Sequence, residues 1–132
     1  MKRRDDPQVA PWIEKMNEDL EAIEALQAKA PHLHAVICFH TQQAAEKALK
    51  AALVASGKRA LPTHNLLEIL DRLIAQGGPD LEMVAGDCAL LFRYAVLTRY
   101  PLRRGPNAED ETAAIAACRR IVAAVDGLLA DR

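Results

Sequence analysis

Proline and glycine divide this chain into five segments, and within each segment apolar residues recur at the spacing of one helix face. The pattern predicts helices over about 11–29, 32–56, 65–76, 80–99 and 108–130. Hydrophobic residues make up 51% of the chain and aromatic residues only 4%, a mix that favours closely packed helices over sheets. Short loops make consecutive helices antiparallel neighbours. The sequence therefore predicts an all-α, up-and-down bundle of four to five helices in one domain spanning residues 1–132.

Polar residues stand at the expected starts of three of these helices. Either Asn65 or Thr63 suits the start of the third helix, because a side-chain oxygen there accepts from free backbone N–H groups. Asp80 is the predicted cap of the fourth helix. Asn107, followed by the acidic residues 109–111, suits the start of the last helix, since carboxylates favour the positive end of the helix dipole.

Charge, cysteine usage and hydropathy narrow the class of protein. The formal net charge is −1, so the molecule as a whole is not a basic nucleic-acid binder. The net charge does not exclude a local basic patch that binds nucleic acid. The three cysteines lie in apolar helical stretches without CxxC spacing, which indicates reduced, buried thiols. No apolar run approaches the roughly 20 residues of a membrane span, and no secretion signal is evident at the N-terminus. We therefore expect a cytoplasmic protein without membrane association.

The predicted second helix carries a polar run that an apolar core does not require. Helical spacing places Cys38 and Leu49 on one apolar stripe. The polar residues predicted to lie opposite that stripe are His40, Gln43, Lys47 and Lys50. Gln42 and Glu46 lie one turn apart on its flank, where partly buried polar groups need partners. Two interpretations stay open: pairing with the lysines of the same helix, or the lining of a cleft in which Glu46 anchors Arg99.

Two further places in the sequence suit phosphate chemistry. The segment 98–104 concentrates Arg99, Arg103 and Arg104 beside Tyr100, and arginine next to an aromatic ring suits phosphates and bases. The alternative is a solvated loop with one structural arginine. His64, at the start of the third helix, can act as a general acid or base, although a packed or hydrogen-bonded histidine is the commoner case.

Signatures of several other chemistries are absent from the sequence. No glycine-rich phosphate loop, HExxH, paired ExxH or GxSxG motif occurs. His32 and His34 do not share a helical face, so they make a poor metal pair. The sequence therefore predicts neither a bound metal nor a cofactor.

Four pieces of the sequence form a distinctive series: Trp12 with Asp19-Leu20, CFHTQQAAEKALKAAL at 38–53, PTHNLLEIL at 62–70 and LTRYP at 97–101. In their order and spacing they resemble the HEPN domain, a small all-helical family named for nucleotide binding in higher eukaryotes and prokaryotes. The resemblance covers nearly the whole chain. It implies a four- or five-helix bundle, commonly a homodimer, often encoded beside a minimal nucleotidyltransferase in toxin–antitoxin pairs.

Many members of that family are metal-independent ribonucleases, in which an R-x4–6-H motif places arginine and histidine across the dimer interface. Here no histidine follows Arg99, because His64 is the last one in the chain. Arg59 and His64 satisfy R-x4-H, but in the loop before the third helix rather than in the usual late helix. This departure makes a ribonuclease toxin the alternative rather than the leading hypothesis.

The leading hypothesis is a HEPN dimer that binds a nucleotide or RNA phosphate and partners a minimal nucleotidyltransferase. Its predicted catalytic-type residues are His64 and Arg99, and its predicted ligand-binding residues are Glu46, Lys47, Tyr100, Arg103, Gln43 and His40. A third hypothesis is a purely structural assembly domain in which Glu46 and Arg99 pair internally. The alanine-rich stretch 44–55 would permit close approach of a second copy.

Overall fold

A computed structural model describes residues 1–77, 79–97 and 105–130, and the elements formed by these residues are all helical. The α-helices are α1 (Ala10–Lys29), α2 (His34–Ala55), α3 (Leu66–Ile74), α4 (Ala85–Leu97) and α5 (Ala108–Ala130). A short 3-10 helix, Pro79–Val84, lies between α3 and α4. The predicted all-α bundle of four to five helices is confirmed.

Helix α2 is the centre of the bundle, because α1, α3, α4 and α5 all pack against it. Most of its residues are buried, and small alanine side chains allow the neighbouring helices to approach closely. The alanines of residues 44–55, which the sequence offered as a contact for a second copy, are buried within the protomer itself. This stretch holds the protomer together, and it leaves no alanine face for another chain.

The ends of the helices follow local capping rules. Asn65 is the cap of α3, since its Oδ1 accepts from the backbone N–H groups of Leu67 and Glu68 at 3.0 and 3.4 Å. Thr63, the alternative cap, instead donates its hydroxyl to the carboxylate of Glu68 at 2.7 Å. At the start of α5, Asn107 and Asp110 each accept from the other's backbone N–H at 2.9 Å.

The fourth helical segment differs from the prediction in its first turns. The chain forms the 3-10 helix Pro79–Val84 where an α-helix was expected, and α4 begins only at Ala85. Asp80 therefore lies inside a 3-10 helix rather than capping α4. Such tighter turns are common where an α-helix begins, since the first N–H groups have no partner in the helix.

The three cysteines belong to the interior of the bundle. Cys38, Cys88 and Cys118 are all free and buried, as the sequence indicated. Burial disfavours the charged thiolate, and it raises the pKa of each thiol to about 12. Nearby carboxylates add to the effect at Cys38 and Cys88. These thiols are packing groups rather than nucleophiles at neutral pH.

Candidate functional site

A buried carboxylate on α2 holds an exposed histidine that lies in the loop before α3. Oε1 and Oε2 of Glu46 are 3.0 and 3.1 Å from Nδ1 of His64. The Glu46 side chain is only 3% exposed, whereas the His64 side chain is 65% exposed. Because Asn65 caps α3, the loop residue immediately before it is held against α2. The contact through Nδ1 leaves the Nε2 edge of the ring to meet another molecule.

Two buried side chains of α2 complete the surroundings of Glu46. Lys50 donates from Nζ to Oε2 at 3.0 Å, and Gln42 donates from Nε2 to Oε1 at 3.4 Å. The same Gln42 amide lies 3.2 Å from the backbone oxygen of His64, so it ties the loop to α2 a second time. Every buried polar side-chain atom among the described residues has a hydrogen-bond partner. The carboxylate is therefore held by several groups and has one settled geometry.

Lys50, predicted to lie opposite the apolar stripe, is buried rather than facing solvent. Its side chain is 7% exposed, and its ammonium lies 5.7 Å from the centre of the Trp12 ring on α1. A cation over an indole face is attracted by the ring electrons, and the aromatic ring covers it from water. Helical spacing within α2 could not show that α1 covers this position.

The polar network continues along α2 towards its N-terminal half. Gln43 donates to Oε1 of Gln42 at 2.8 Å, and Lys47 donates to Oε1 of Gln43 at 2.9 Å. Asp19 on α1 then lies 3.6 Å from Nζ of Lys47 and 2.9 Å from Nδ1 of His40. A continuous chain of polar contacts therefore joins His64 to His40.

The formal charge of this network depends on its histidines. Lys47 and Lys50 contribute two positive charges, and Asp19 and Glu46 contribute two negative charges, so these four sum to zero. Protonation of either histidine then gives the network a net positive charge. A ligand with negative charge would therefore be recognised through the histidines and through the side chain of Lys47, which is 20% exposed.

The structure brings together only part of the predicted site. The predicted residues that lie in one network are His40, Gln43, Glu46, Lys47 and His64. Arg99, Tyr100 and Arg103 lie outside the described residues, and so does the predicted pairing of Arg99 with Glu46. Arg59, of the R-x4-H match, is exposed in the loop that leads to His64.

Sequence reasoning missed the part played by Asp19. In the sequence Asp19 stood out only as part of the family resemblance, and helical spacing along α1 does not distinguish it from the other acidic residues of that helix. Its position facing α2 follows from the rotation of α1 in the bundle, where it contacts both His40 and Lys47. The four-residue spacing of Gln42, Glu46 and Lys50 was the signal for their contacts along α2.

A third carboxylate–histidine pair lies at the N-terminal ends of α2 and α5. Glu111, which was expected only to favour the helix dipole, is buried, and its Oε1 lies 2.7 Å from Nδ1 of His34. Gln27 of α1 donates to its other oxygen at 3.3 Å. This pair joins three helices and shares no residue with the Glu46 network.

The described part of the chain contains neither a metal-binding cluster nor a membrane-spanning helix. Within residues 1–77, 79–97 and 105–130, no cluster of three or more His, Cys, Asp or Glu side chains is arranged to hold a metal ion. None of the helices formed by these residues is long and apolar enough to cross a membrane.

The fold and this network define a small all-helical domain whose buried central helix carries one polar face. The family model for the HEPN domain matches residues 9–128, and the chain belongs to that family. TT1696 from Thermus thermophilus is similar in structure, with a TM-score of 0.79 at 26% identity over 92% of this chain and 98% of that chain. ST0689, an archaeal HEPN homologue, has a TM-score of 0.71 at 24% identity over 98% and 99% of the two chains, which shows the shared fold. No curated protein matches the sequence.

Proposed function

We propose that this HEPN-domain protein binds the phosphate of a nucleotide or RNA on one surface of α2. That surface, the α2 face, comprises His40, Gln43, Lys47 and, from the neighbouring loop, His64. The observation that carries the proposal is the contact between buried Glu46 and exposed His64. A carboxylate that fixes one edge of an imidazole presents the other edge in one orientation, which is how a binding or catalytic histidine is prepared.

The chemistry of the α2 face suits a phosphate group. A protonated His64 donates from Nε2 to a phosphate oxygen, and Lys47 and Gln43 add donors from the same helix. The formal charges of the two lysines and two carboxylates cancel, so a protonated His64 gives the network a net positive charge. The site therefore suits an anion, whose negative charge offsets this positive charge and whose hydrogen bonds to water are replaced by hydrogen bonds to these donors.

Sequence and family resemblance supply the remaining parts of the proposal. Arg99 and Arg103 would neutralise phosphate, and Tyr100 would stack or donate a hydrogen bond. The protein would work in the cytoplasm as a homodimer and as the partner of a minimal nucleotidyltransferase in a toxin–antitoxin-type pair. A nucleotidyltransferase gene beside the gene for this chain supports the pairing, and its absence argues against it.

Calorimetric titration with nucleotides and short RNA tests the binding function. We expect heat on binding that Lys47→Ala, His64→Ala and Arg99→Ala each reduce, because each removes a donor or a cation. Lys15→Ala is the matched control, since Lys15 is an exposed lysine of α1 that pairs with Glu18. Wild-type protein that gives no heat with any of these ligands would contradict the proposal, as would a loss equal in the control.

A metal-independent ribonuclease is the second candidate, and the same contact favours it. A carboxylate that orients an exposed imidazole is the arrangement used for general acid–base catalysis. His64 would exchange the protons while Arg59 or Arg99 holds phosphate. Structured RNA incubated with the protein and a chelator should be cleaved by wild type and by His32→Ala, a control at an exposed histidine, but not by His64→Ala. Cleavage that persists in His64→Ala removes this histidine from the mechanism.

A purely structural role makes a different prediction for the same residues. In that case the Glu46 network serves only to join the loop before α3 to α2, and the α2 face binds no nucleotide or RNA. Substitution of His64 would then change stability without changing any binding or cleavage. The titration and the cleavage assay together separate this role from the other two.

A further inference from the structure

We infer that the groove between α1 and α5 binds a free α-amino acid with an apolar side chain, with Glu24 at its ammonium and Arg119 at its carboxylate. The groove contains a cavity of about 300 Å³, which is at the lower end of the sizes that hold small molecules. None of its lining residues belongs to the α2 face or to the Glu46 network. The inference is therefore independent of the function proposed above.

The groove exists because α1 and α5 both pack against α2, while the backbones of these two fully described helices stay apart from each other. Ile23 of α1 and Ile115 of α5 line the cavity and pack together with Ile37 of α2. Asp126 of α5 also lines it, and this carboxylate pairs with Arg4, from the segment before α1, at 2.7 Å. Three helices and the N-terminal segment thus form the walls of one recess.

The floor of the groove is apolar and recessed. It comprises Leu20, Ile23, Ile115, Cys118 and Val122, and all of these except Leu20 are buried. None of the large apolar side chains that are exposed in the described part of the chain lines the cavity. A protein partner would contact protruding apolar side chains, whereas a recess accepts the slender side chain of a small molecule and removes it from water.

Two opposite charges stand at the rim of the groove. Glu24 and Arg119 are both exposed and both line the cavity, yet neither side chain forms a hydrogen bond or an ion pair with another described residue. The next residue along α5, Arg120, is by contrast held by Asp87 at 2.8 Å. The rim therefore offers one acceptor for a cation and one planar fork of donors for a carboxylate.

The balance of charge at the rim favours a ligand that carries both signs. The formal charges of Glu24 and Arg119 cancel, and those of the Arg4–Asp126 pair cancel as well. A simple carboxylic acid would satisfy Arg119 but bring a like charge towards Glu24, and a simple amine would do the reverse. An α-amino acid supplies an ammonium and a carboxylate beside one side chain, so it matches both rim charges and the apolar floor.

Titration followed by ¹H–¹⁵N NMR tests the ligand class. We expect leucine or phenylalanine to shift the backbone signals around Glu24 and Arg119 and to leave the signal of His64 unchanged. Leucinamide lacks the carboxylate, and 4-methylpentanoate lacks the ammonium. Each should bind about tenfold more weakly than leucine, because each loses one charged hydrogen-bonding partner. Alanine, which has only a methyl group for the floor, should also bind more weakly.

Substitutions assign the two ends of the ligand. Arg119→Gln should weaken leucine binding by about tenfold without weakening leucinamide binding, since leucinamide has no carboxylate to lose. Arg120→Gln is the matched control, because it alters the neighbouring arginine outside the cavity and should leave leucine binding unchanged. Ala123→Trp should fill the cavity and abolish binding, whereas Ala25→Trp, at an exposed alanine of α1 that does not line it, should not.

The outcomes that overturn the inference leave the α2 face untouched. Wild-type protein whose spectrum is unchanged by both leucine and phenylalanine has no such site. Leucine binding that is equal in wild type and Arg119→Gln, or equal affinity for leucine and leucinamide, would remove the assigned carboxylate contact. A change of molecular mass by light scattering in Ala123→Trp, with no binding of either amino acid to wild type, would assign the groove to a protein interface. Equal circular dichroism spectra show that folding does not cause the differences.

Discussion

Glu46 and His64 share a hydrogen-bonded contact of 3.0 Å between Oε1 and Nδ1, yet one side chain is buried and the other is mostly exposed to solvent. The free energy of unfolding should therefore depend on the carboxylate, which lies among buried groups. Binding of a ligand, or catalysis, should instead depend on the exposed imidazole of His64. This division predicts different consequences for substitution of the two residues.

Glu46→Ala should destabilise the protein far more than His64→Ala. Loss of the carboxylate leaves the buried ammonium of Lys50 without its counter-charge, at a cost of about 3 kcal/mol. Loss of the exposed imidazole leaves Glu46 with Lys50 and Gln42, so the cost should be about 1 kcal/mol or less. Urea unfolding followed by circular dichroism measures both free energies. Equal losses in the two variants would show that His64 is chiefly a structural residue.

Asn65→Ala should destabilise the protein by about 1 kcal/mol, because two backbone N–H groups at the start of α3 lose their acceptor. The same change should loosen the loop that positions His64, so RNA or nucleotide binding should weaken together with stability. Thr63→Ala is the comparison, since it removes an exposed contact with Glu68 and one acceptor, for the backbone N–H of Asn65 at 3.1 Å, and should cost less than loss of the cap. If Thr63→Ala lowered the free energy of unfolding more than Asn65→Ala, then Asn65 would not be the cap of α3.

Much of the fold could be predicted because it depends on local rules. Helical spacing together with proline and glycine located the helices, and Asn65 and Asn107 are caps because of groups within three residues of them. The start of α4 was missed, since the 3-10 helix Pro79–Val84 has no distinct pattern in the sequence.

The candidate site was predictable only in the parts that lie on one helix. Gln42, Glu46 and Lys50 contact one another at helical spacing, and the burial of Gln42 and Glu46 followed from their place beside the apolar stripe. The contributions of Asp19 and Trp12 depend on how α1 is rotated against α2, and single-helix periodicity contains no information about that rotation. The contact of Glu46 with His64 could not be predicted either, because it depends on the path of the loop before α3.

The cysteines should react with alkylating reagents only when the protein unfolds. With a thiol pKa of about 12, only about one thiol in ten thousand is ionised at pH 8, and burial restricts access as well. Intact mass after treatment with iodoacetamide should therefore show almost no modification in buffer and three modifications in concentrated urea. Rapid modification of the folded protein would mean that at least one thiol is accessible in solution.

The stability of the protein should fall as the pH rises from 9 to 12. In this window the unfolded chain releases thiol protons from groups of pKa 9.0, while the folded chain retains them up to about 12. The contribution of each thiol is complete below pH 9 and declines by at most about 1.4 kcal/mol per pH unit above it. Urea unfolding across this range should show a shallower decline for Cys118→Ala than for wild type. Parallel curves would contradict the raised thiol pKa.

Lys50 and Glu46 should show energetic coupling, because each is the buried counter-charge of the other. We expect Lys50→Met and Glu46→Gln each to cost about 3 kcal/mol, and the double variant to cost less than their sum by about 1 kcal/mol or more. Methionine keeps an unbranched chain against Trp12, and the lost cation–π contact occurs in both lysine variants, so it cancels from the coupling.

The four free energies of unfolding in urea give the coupling directly. Arg120→Ala combined with Lys50→Met is the control pair, since Arg120 pairs with Asp87 outside the Glu46 network and the two effects should add. Additive losses for Glu46 and Lys50 would mean that the buried carboxylate is stabilised mainly by Gln42 and His64. Positive coupling would instead show that the ammonium of Lys50 sustains the charge of Glu46, and with it the orientation of His64.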